Sequence, residues 1–202
     1  MPRRRYLFDP PDRFVAGTIG RPGDRTFFLQ ARDGARVVSI ILEKVQVAVL
    51  ADGLGDLLAE LERRGVQGVA ASGTAGAATT GAAATGPDDT GADDVGPLDE
   101  PINEAFRAGS LTLGWDGDAE RVLVEARAQS EDGAEMDADE DDDEDEDGPD
   151  LLRVRMTASA ARSFVARAAR IVGAGRPPCP LCGAPLDPQG HICPRRNGHY
   201  VN

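Results

Sequence analysis

All three cysteines and both histidines of the 202-residue chain fall between Cys179 and His199. The segment reads Cys179-Pro180-Leu181-Cys182-Gly183, then Gly190-His191-Ile192-Cys193-Pro194, then Asn197-Gly198-His199. A Cys-x-x-Cys-Gly turn aims two thiolates at one point, because the glycine lets backbone amides curl toward the sulfurs. Zinc then needs two more soft or borderline donors to close a tetrahedral shell. Cys193 supplies one, and spacing leaves His191 and His199 open for the other. The favoured set is Cys179, Cys182, His191 and Cys193, since His191 stands beside Cys193 in a knuckle-like Gly-x-x-Cys-Pro setting. A redox pair fits less well: such a motif opens a helix, and Pro177-Pro178 ahead of it and Pro180 inside it oppose a helix start. An iron–sulfur cluster more often uses four cysteines. Four protein ligands leave no position for water, so the expected Zn2+ is structural. Leu181, Leu186 and Ile192 are the tail's main apolar residues, too few to fold it without the metal.

With both histidines at or near that metal, no free imidazole remains for acid–base work near neutral pH. No Gly-x-Ser-x-Gly elbow, phosphate loop or dinucleotide fingerprint is present. The other candidates are polar residues in strand-like or strand–helix junction positions: Asp9, Arg13, Gln30, Arg32, Glu43, Lys44 and Gln46. Arg13 and Lys44 are the candidate anion-binding pair, at a helix N-terminus whose free amides favour negative charge. The simpler reading of the same residues is that Glu43 caps the helix and Lys44 is solvated.

These residues need elements to hold them. Strand-like patterning covers about Arg13 to Ile19, Thr26 to Arg32 and Arg36 to Leu42, with Gly20-Arg21-Pro22-Gly23 and Asp33-Gly34 as turns. Val47, Leu50, Leu54, Leu57, Leu58 and Leu61 then share one helical stripe ending near Arg63-Arg64-Gly65, weakened by Gly53 and Gly55. The second half repeats the plan: Ser110 to Trp115, Arg121 to Ala128 and Leu152 to Met156 are strands, with Asp116-Gly117 as a hairpin signal. Thr157 N-caps a helix with Ala161, Phe164, Val165, Ala168 and Val172 on one face, stopped by Gly173 and Gly175. The expected fold is α+β, a two-layer antiparallel sheet with two helices on one face, a possible βββα duplication, and a C-terminal zinc knuckle. The halves span residues 1–64 and 106–175, and the tail residues 176–202.

Two stretches resist folding. Residues 65–105 carry a Gly/Ala-rich run and then seven acids, with no basic residue between Arg64 and Arg107. Residues 130–150 carry fourteen acids and no base. Neither offers enough apolar surface to offset its ordering entropy, so both are expected to be disordered. The chain's net charge of −13 therefore misleads: outside these stretches 22 basic residues face 14 acidic ones, or +8. The acids could fold back and screen that arginine-rich core. Neither a signal peptide nor an apolar run long enough to span a membrane is visible, so a cytoplasmic location without membrane association is expected.

The chain resembles an uncharacterised actinobacterial family, the domain of unknown function 3090 proteins. The resemblance rests on Tyr6-Leu7-Phe8-Asp9-Pro10-Pro11-x-Arg13-Phe14-Val15-Ala16-Gly17-Thr18, on Arg25-Thr26-Phe27-Phe28-Leu29-Gln30-Ala31-Arg32 and on Leu42-Glu43-Lys44-Val45-Gln46-Val47. Cys179-Pro-x-Cys-Gly and Gly190-His191-x-Cys193-Pro194-Arg195 carry it at the other end. The family pattern usually has a tyrosine-like residue where His199 stands, which implies His191 as the ligand. Its members tend to be encoded near a histidine-phosphatase-like and a kinase-like protein, which implies a pathway handling a phosphorylated compound. The expectation for function is a non-catalytic, zinc-containing binding or adaptor protein with a protein partner. One alternative is a nucleic-acid-binding protein using the zinc tail and the Arg-rich surface. Another is an enzyme or accessory factor acting on a phosphorylated small molecule.

Overall fold

A computed structural model describes residues 3–66, 68–69, 94–129, 148–175, 179–182, 193 and 195. The hairpin signals produce two meanders. In the first, β2 (Arg13–Arg21), β3 (Asp24–Asp33) and β4 (Arg36–Leu42) run antiparallel, with Gly34 in the last turn at φ 55°. In the second, β5 (Glu104–Asp116), β6 (Arg121–Ala128) and β7 (Leu151–Met156) do the same. A helix follows each: α1 (Lys44–Arg63) and α2 (Ala158–Gly173). The meanders lie side by side in one seven-stranded sheet of order β1-β7-β6-β5-β4-β3-β2.

The class is α+β, in the element order that the periodicity predicts. Two junctions of the sheet are parallel, so it is mixed where a wholly antiparallel sheet was expected: β4 with β5, and β1 (Arg5–Phe8) with β7. The first follows from connectivity. Parallel neighbours need a long connection rather than a hairpin, and the chain between β4 and β5, which includes α1, supplies one. The second involves a strand that the pattern did not reveal, in which Arg5 faces Leu151 from the far end of the chain.

Strand alternation puts Phe14, Ala16, Leu29, Ala31, Ile40 and Leu42 on one face of the sheet, and Val122, Val124, Ala126, Leu152, Val154 and Met156 extend it. Both helices bury their stripes there, α1 through Val47, Leu50, Leu54, Leu58 and Leu61, α2 through Ala161, Phe164 and Ala168. Each fully buried valine, leucine or phenylalanine among them contributes about 1.5–3 kcal/mol. A Cβ on Gly53 would stand 2.9 Å from Leu113 Cδ1, so the weak helix former lets α1 lie close on β5. The N-caps are satisfied locally: Glu43 N–H donates to Gln46 Oε1 at 2.8 Å, and Ala160 N–H to Thr157 Oγ1 at 3.1 Å.

The opposite face is covered behind β2, β3 and β4 by residues 94–103. Leu98 packs on Val15 and Phe28, with Ile41 and Ile102 beside them. Composition alone put this strap inside the 65–105 insertion; its apolar Leu98 and Ile102, spaced for one face of the sheet, are what order it. The remainder of that expected disorder, residues 70–93, and the acidic residues 130–147 lie outside the described residues.

Candidate functional site

The tail brings its cysteines together. The sulfurs of Cys179, Cys182 and Cys193 lie within 4.8 Å of one another, and the Sγ atoms of Cys179 and Cys193 are 3.9 Å apart. Cys179 and Cys193 are buried. Backbone amides curl onto the first thiol, as the Cys-x-x-Cys turn predicts: Leu181 N–H donates to Cys179 Sγ at 3.4 Å. Hydrogen bonds from the Cys182 and Leu181 amides hold the Cys179 thiol below the ordinary cysteine range. Three converging sulfurs, one already stabilised as thiolate, fit a soft or borderline metal ion. His191 and His199, the two candidates for a fourth ligand, lie outside the described residues.

A second cluster is built where the strap reaches the outer edge of β2. Arg13 Nε and Nη2 grip Asp94 in a two-point pair, at 2.5 Å to Oδ2 and 3.0 Å to Oδ1. Arg13 Nη1 donates to Asp99 Oδ2 at 2.8 Å. From the other side α2 contributes Arg167, only 7% exposed, which donates to Ala16 O at 2.6 Å, Asp94 O at 2.6 Å and Gly96 O at 2.7 Å. Beneath the strap, buried Gln30 donates to Asp99 O at 3.0 Å and to Ser39 Oγ at 2.9 Å, while accepting from Asp99 N–H at 2.8 Å. The clasp answers two physical problems. Arg13 and Arg32 are direct cross-strand neighbours, and like charges in that position repel unless an anion intervenes; Asp99 does so. Ala16 O faces outward from an edge strand, and Arg167 occupies it, blocking strand addition there.

Electrostatics follow the contacts. The hydrogen bond from Arg13 holds the Asp94 carboxyl below the ordinary aspartate range, and the same bond raises Arg13. Burial lowers the Arg167 pKa, with Asp94 opposing it. So part of the acid in the first insertion does fold back onto the arginine-rich core, through Asp94 and Asp99.

Arg13 and Lys44, the expected anion-binding pair, are not brought together. Arg13 lines a cleft of about 380 Å³ with Arg32, Asp94, Ser163, Phe164 and Arg167. Lys44 lines a separate one of about 210 Å³ with Arg25, Phe27 and the end of α2. Glu43 and Gln46 cap α1, and Gln46 also donates to Ala108 O at 3.1 Å. Sequence reasoning singled out Arg13, Gln30 and Arg32 but passed over Arg167 and the strap's carboxylates. One signal was available: Arg167 follows Phe164 by three residues, so it falls on the apolar stripe of α2.

No helix among the described residues is long and apolar enough to cross a membrane. No curated protein and no solved structure is significantly similar to the chain. The family model described as "Protein of unknown function (DUF3090)" matches residues 6–193, from within β1 to the last cysteine of the cluster, and the chain therefore belongs to the DUF3090 family.

Proposed function

We propose that this is a non-catalytic, zinc-containing binding or adaptor protein whose C-terminal segment folds around one structural zinc ion. The convergence of the three sulfurs within 4.8 Å carries the reading. Cys179, Cys182, His191 and Cys193 would hold the ion, and three thiolates with one imidazole suit a closed tetrahedral Zn2+ shell. Such a shell contributes folding free energy to a tail that is poor in apolar residues. The partner is a protein in this reading. Guanidinium groups at Arg13, Arg155, Arg162 and Arg167 are already held by carboxylates of the same chain, which leaves them less available to a phosphate backbone.

Metal analysis of the purified full-length chain tests the site. One equivalent of zinc is expected, falling to near zero in Cys182→Ala and in His191→Ala, and retained in His199→Ala. One full equivalent in Cys182→Ala would overturn the assignment. Cobalt substitution adds a spectroscopic check, since a tetrahedral thiolate-rich site gives intense visible absorption. For the binding role, affinity capture from the native host should return one reproducible protein, and a salt-sensitive shift with nucleic acid in its place would favour the alternative.

A further inference from the structure

We propose that the cleft along the outer edge of β2 binds a small organic anion, a carboxylate or phosphate carried on a compact apolar body. Its volume of about 380 Å³ lies within the roughly 300–1,000 Å³ usual for small-molecule sites. Such sites combine apolar walls with a few polar groups that fix orientation, and both are present. Pro11, Phe14, Val15, Ala160 and Phe164 form the apolar lining. Phe14 and Phe164 stack with ring centroids 5.0 Å apart, giving it a rigid aromatic floor.

The polar lining decides the ligand class. Three guanidinium groups border the cleft, from Arg13, Arg32 and Arg167, against the carboxylates of Asp12 and Asp94. The donors of Arg13 and Arg167 are spent on the strap and on Ala16 O, and Asp12 Oδ2 accepts from Gly34 N–H at 2.7 Å. Bulk charge is therefore nearly balanced, and recognition falls to the donors still unspent. Arg32, its side chain 37% exposed, makes no hydrogen bond among the described residues; its Nε is itself buried, and Asp99 Oδ2 lies 3.6 Å from it. That distance is beyond a hydrogen bond. Ser163 lines the cleft from α2, and none of its hydroxyl's possible bonds is made among the described residues. A guanidinium and a hydroxyl bordering one cleft ask for an acceptor, and an anionic oxygen is the strongest one. The aromatic floor beside them asks for an apolar body. Neither demand involves Lys44, whose cleft is separate, and neither depends on the metal in the tail.

The test is an NMR titration of the full-length, zinc-loaded protein with phenyl phosphate. Saturable shifts are expected at the amides of Ser163 and Phe164. Inorganic phosphate, which lacks the apolar body, should need at least about tenfold higher concentration. Arg32→Gln should weaken phenyl phosphate by about tenfold or more, the loss of one charge-assisted hydrogen bond. Ser163→Leu, which fills the cleft from the α2 side, should abolish saturation, and Lys44→Gln should bind as the parent does. The spectra themselves report whether each variant is folded. No saturable shift up to about 10 mM, a weak-binding limit, would overturn the proposal. So would unchanged affinity in folded Arg32→Gln and Ser163→Leu, or inorganic phosphate binding as tightly as phenyl phosphate. Repeating the titration on Cys182→Ala separates this site from the metal reading, because the cleft should still bind when the tail has lost its ion.

Discussion

Behind β2, β3 and β4 the sheet is covered by an apolar strap; behind β5, β6 and β7 the same face carries ion pairs, with Leu151 and Glu125 buried among them. The two meanders treat their helix-facing sides alike, so the contrast lies wholly on the other face. In the first half the two central cross-strand rows are Val15–Gln30–Ser39 and Gly17–Phe28–Ile41, apolar or neutral, sealed by Leu98, while the charged Arg13–Arg32 row at the end is closed by Asp94 and Asp99. In the second half one row runs Thr112–Glu125–Arg153–Leu7, with Leu7 51% exposed. A neighbouring row ends in Arg155, which reaches Asp9 at 3.3 Å and Asp116 at 3.7 Å. The difference shows how one strand plan makes two surfaces. A face that carries Gly17 and Phe28 can accept an apolar strap, whereas a face that carries Glu125 and Arg153 must pair its charges, with Glu125 itself only 5% exposed.

The largest break in this comparison is expected at the buried end of the clasp. Arg167→Met removes the donors to Ala16 O and Asp94 O and leaves Gly96 O only the longer bond from Arg13 Nη2, at 3.3 Å. Asp94 keeps its pair with Arg13, but the carbonyl of buried Ala16 loses its Arg167 donor, and a buried acceptor left unsatisfied costs about 1–3 kcal/mol. Arg155→Met is the matching change on the other half of that face, where the side chain is 38% exposed. Partly exposed pairs are worth about 0–1 kcal/mol. Urea unfolding of both variants decides: equal losses would mean that the strap contributes no more than a surface ion pair does.

A smaller contrast comes from two glycines on that same face. At Gly17 an added Cβ would stand 2.5 Å from Leu98 Cγ and Cδ2, while at Gly114 the nearest atoms belong to Leu123, at 3.8 Å. Gly17→Ala should therefore destabilise by about 1–3 kcal/mol, as overpacking does. Gly114→Ala meets only ordinary contact and should be neutral or gain up to about 1 kcal/mol from the stiffer unfolded chain. A harmless Gly17→Ala would show that Leu98 can move, and that the strap sits loosely.

Much of this was legible in the residues. Arg121 to Ala128 alternates, Thr26 to Arg32 and Arg36 to Leu42 are short runs rich in aromatic and branched residues bounded by turn signals, and the stripe from Val47 to Leu61 is helical in period, so local composition sets all three patterns. β1 was not legible: Tyr6-Leu7-Phe8 is too short to show a period, and its partner is β7 from the far end of the chain. The strap was missed for a related reason. Its order comes from Leu98 meeting Val15 and Phe28, and from Asp94 meeting Arg13, contacts that an acid count over residues 65–105 averages away. The cysteine cluster was readable from spacing alone, since Cys-x-x-Cys-Gly is a local geometry. Arg13 and Lys44 stand at opposite ends of the first meander, because Arg13 opens β2 opposite Arg32 whereas Lys44 follows Leu42, which pairs with Phe27; that register is not visible in either residue's local sequence.

The finest probe of the covered face is pH. Arg13 holds the folded-state pKa of Asp94 below the ordinary aspartate value. A depressed carboxyl contributes stability that is present above its unfolded pKa, about 3.9 for aspartate. The contribution is lost as the pH falls through the lower folded value. The gap in unfolding free energy between the parent and Asp94→Asn should thus be constant from about pH 8 to pH 5 and should close progressively below about pH 4. High salt should shrink the gap only in part, because Arg13 is largely shielded, at 13% side-chain exposure, and sheltered pairs are screened less than exposed ones. A gap that persists undiminished at pH 3 would mean that Asp94 holds the strap through its backbone carbonyl, bonded to Arg167, and that its charge adds nothing to the covered half of the sheet.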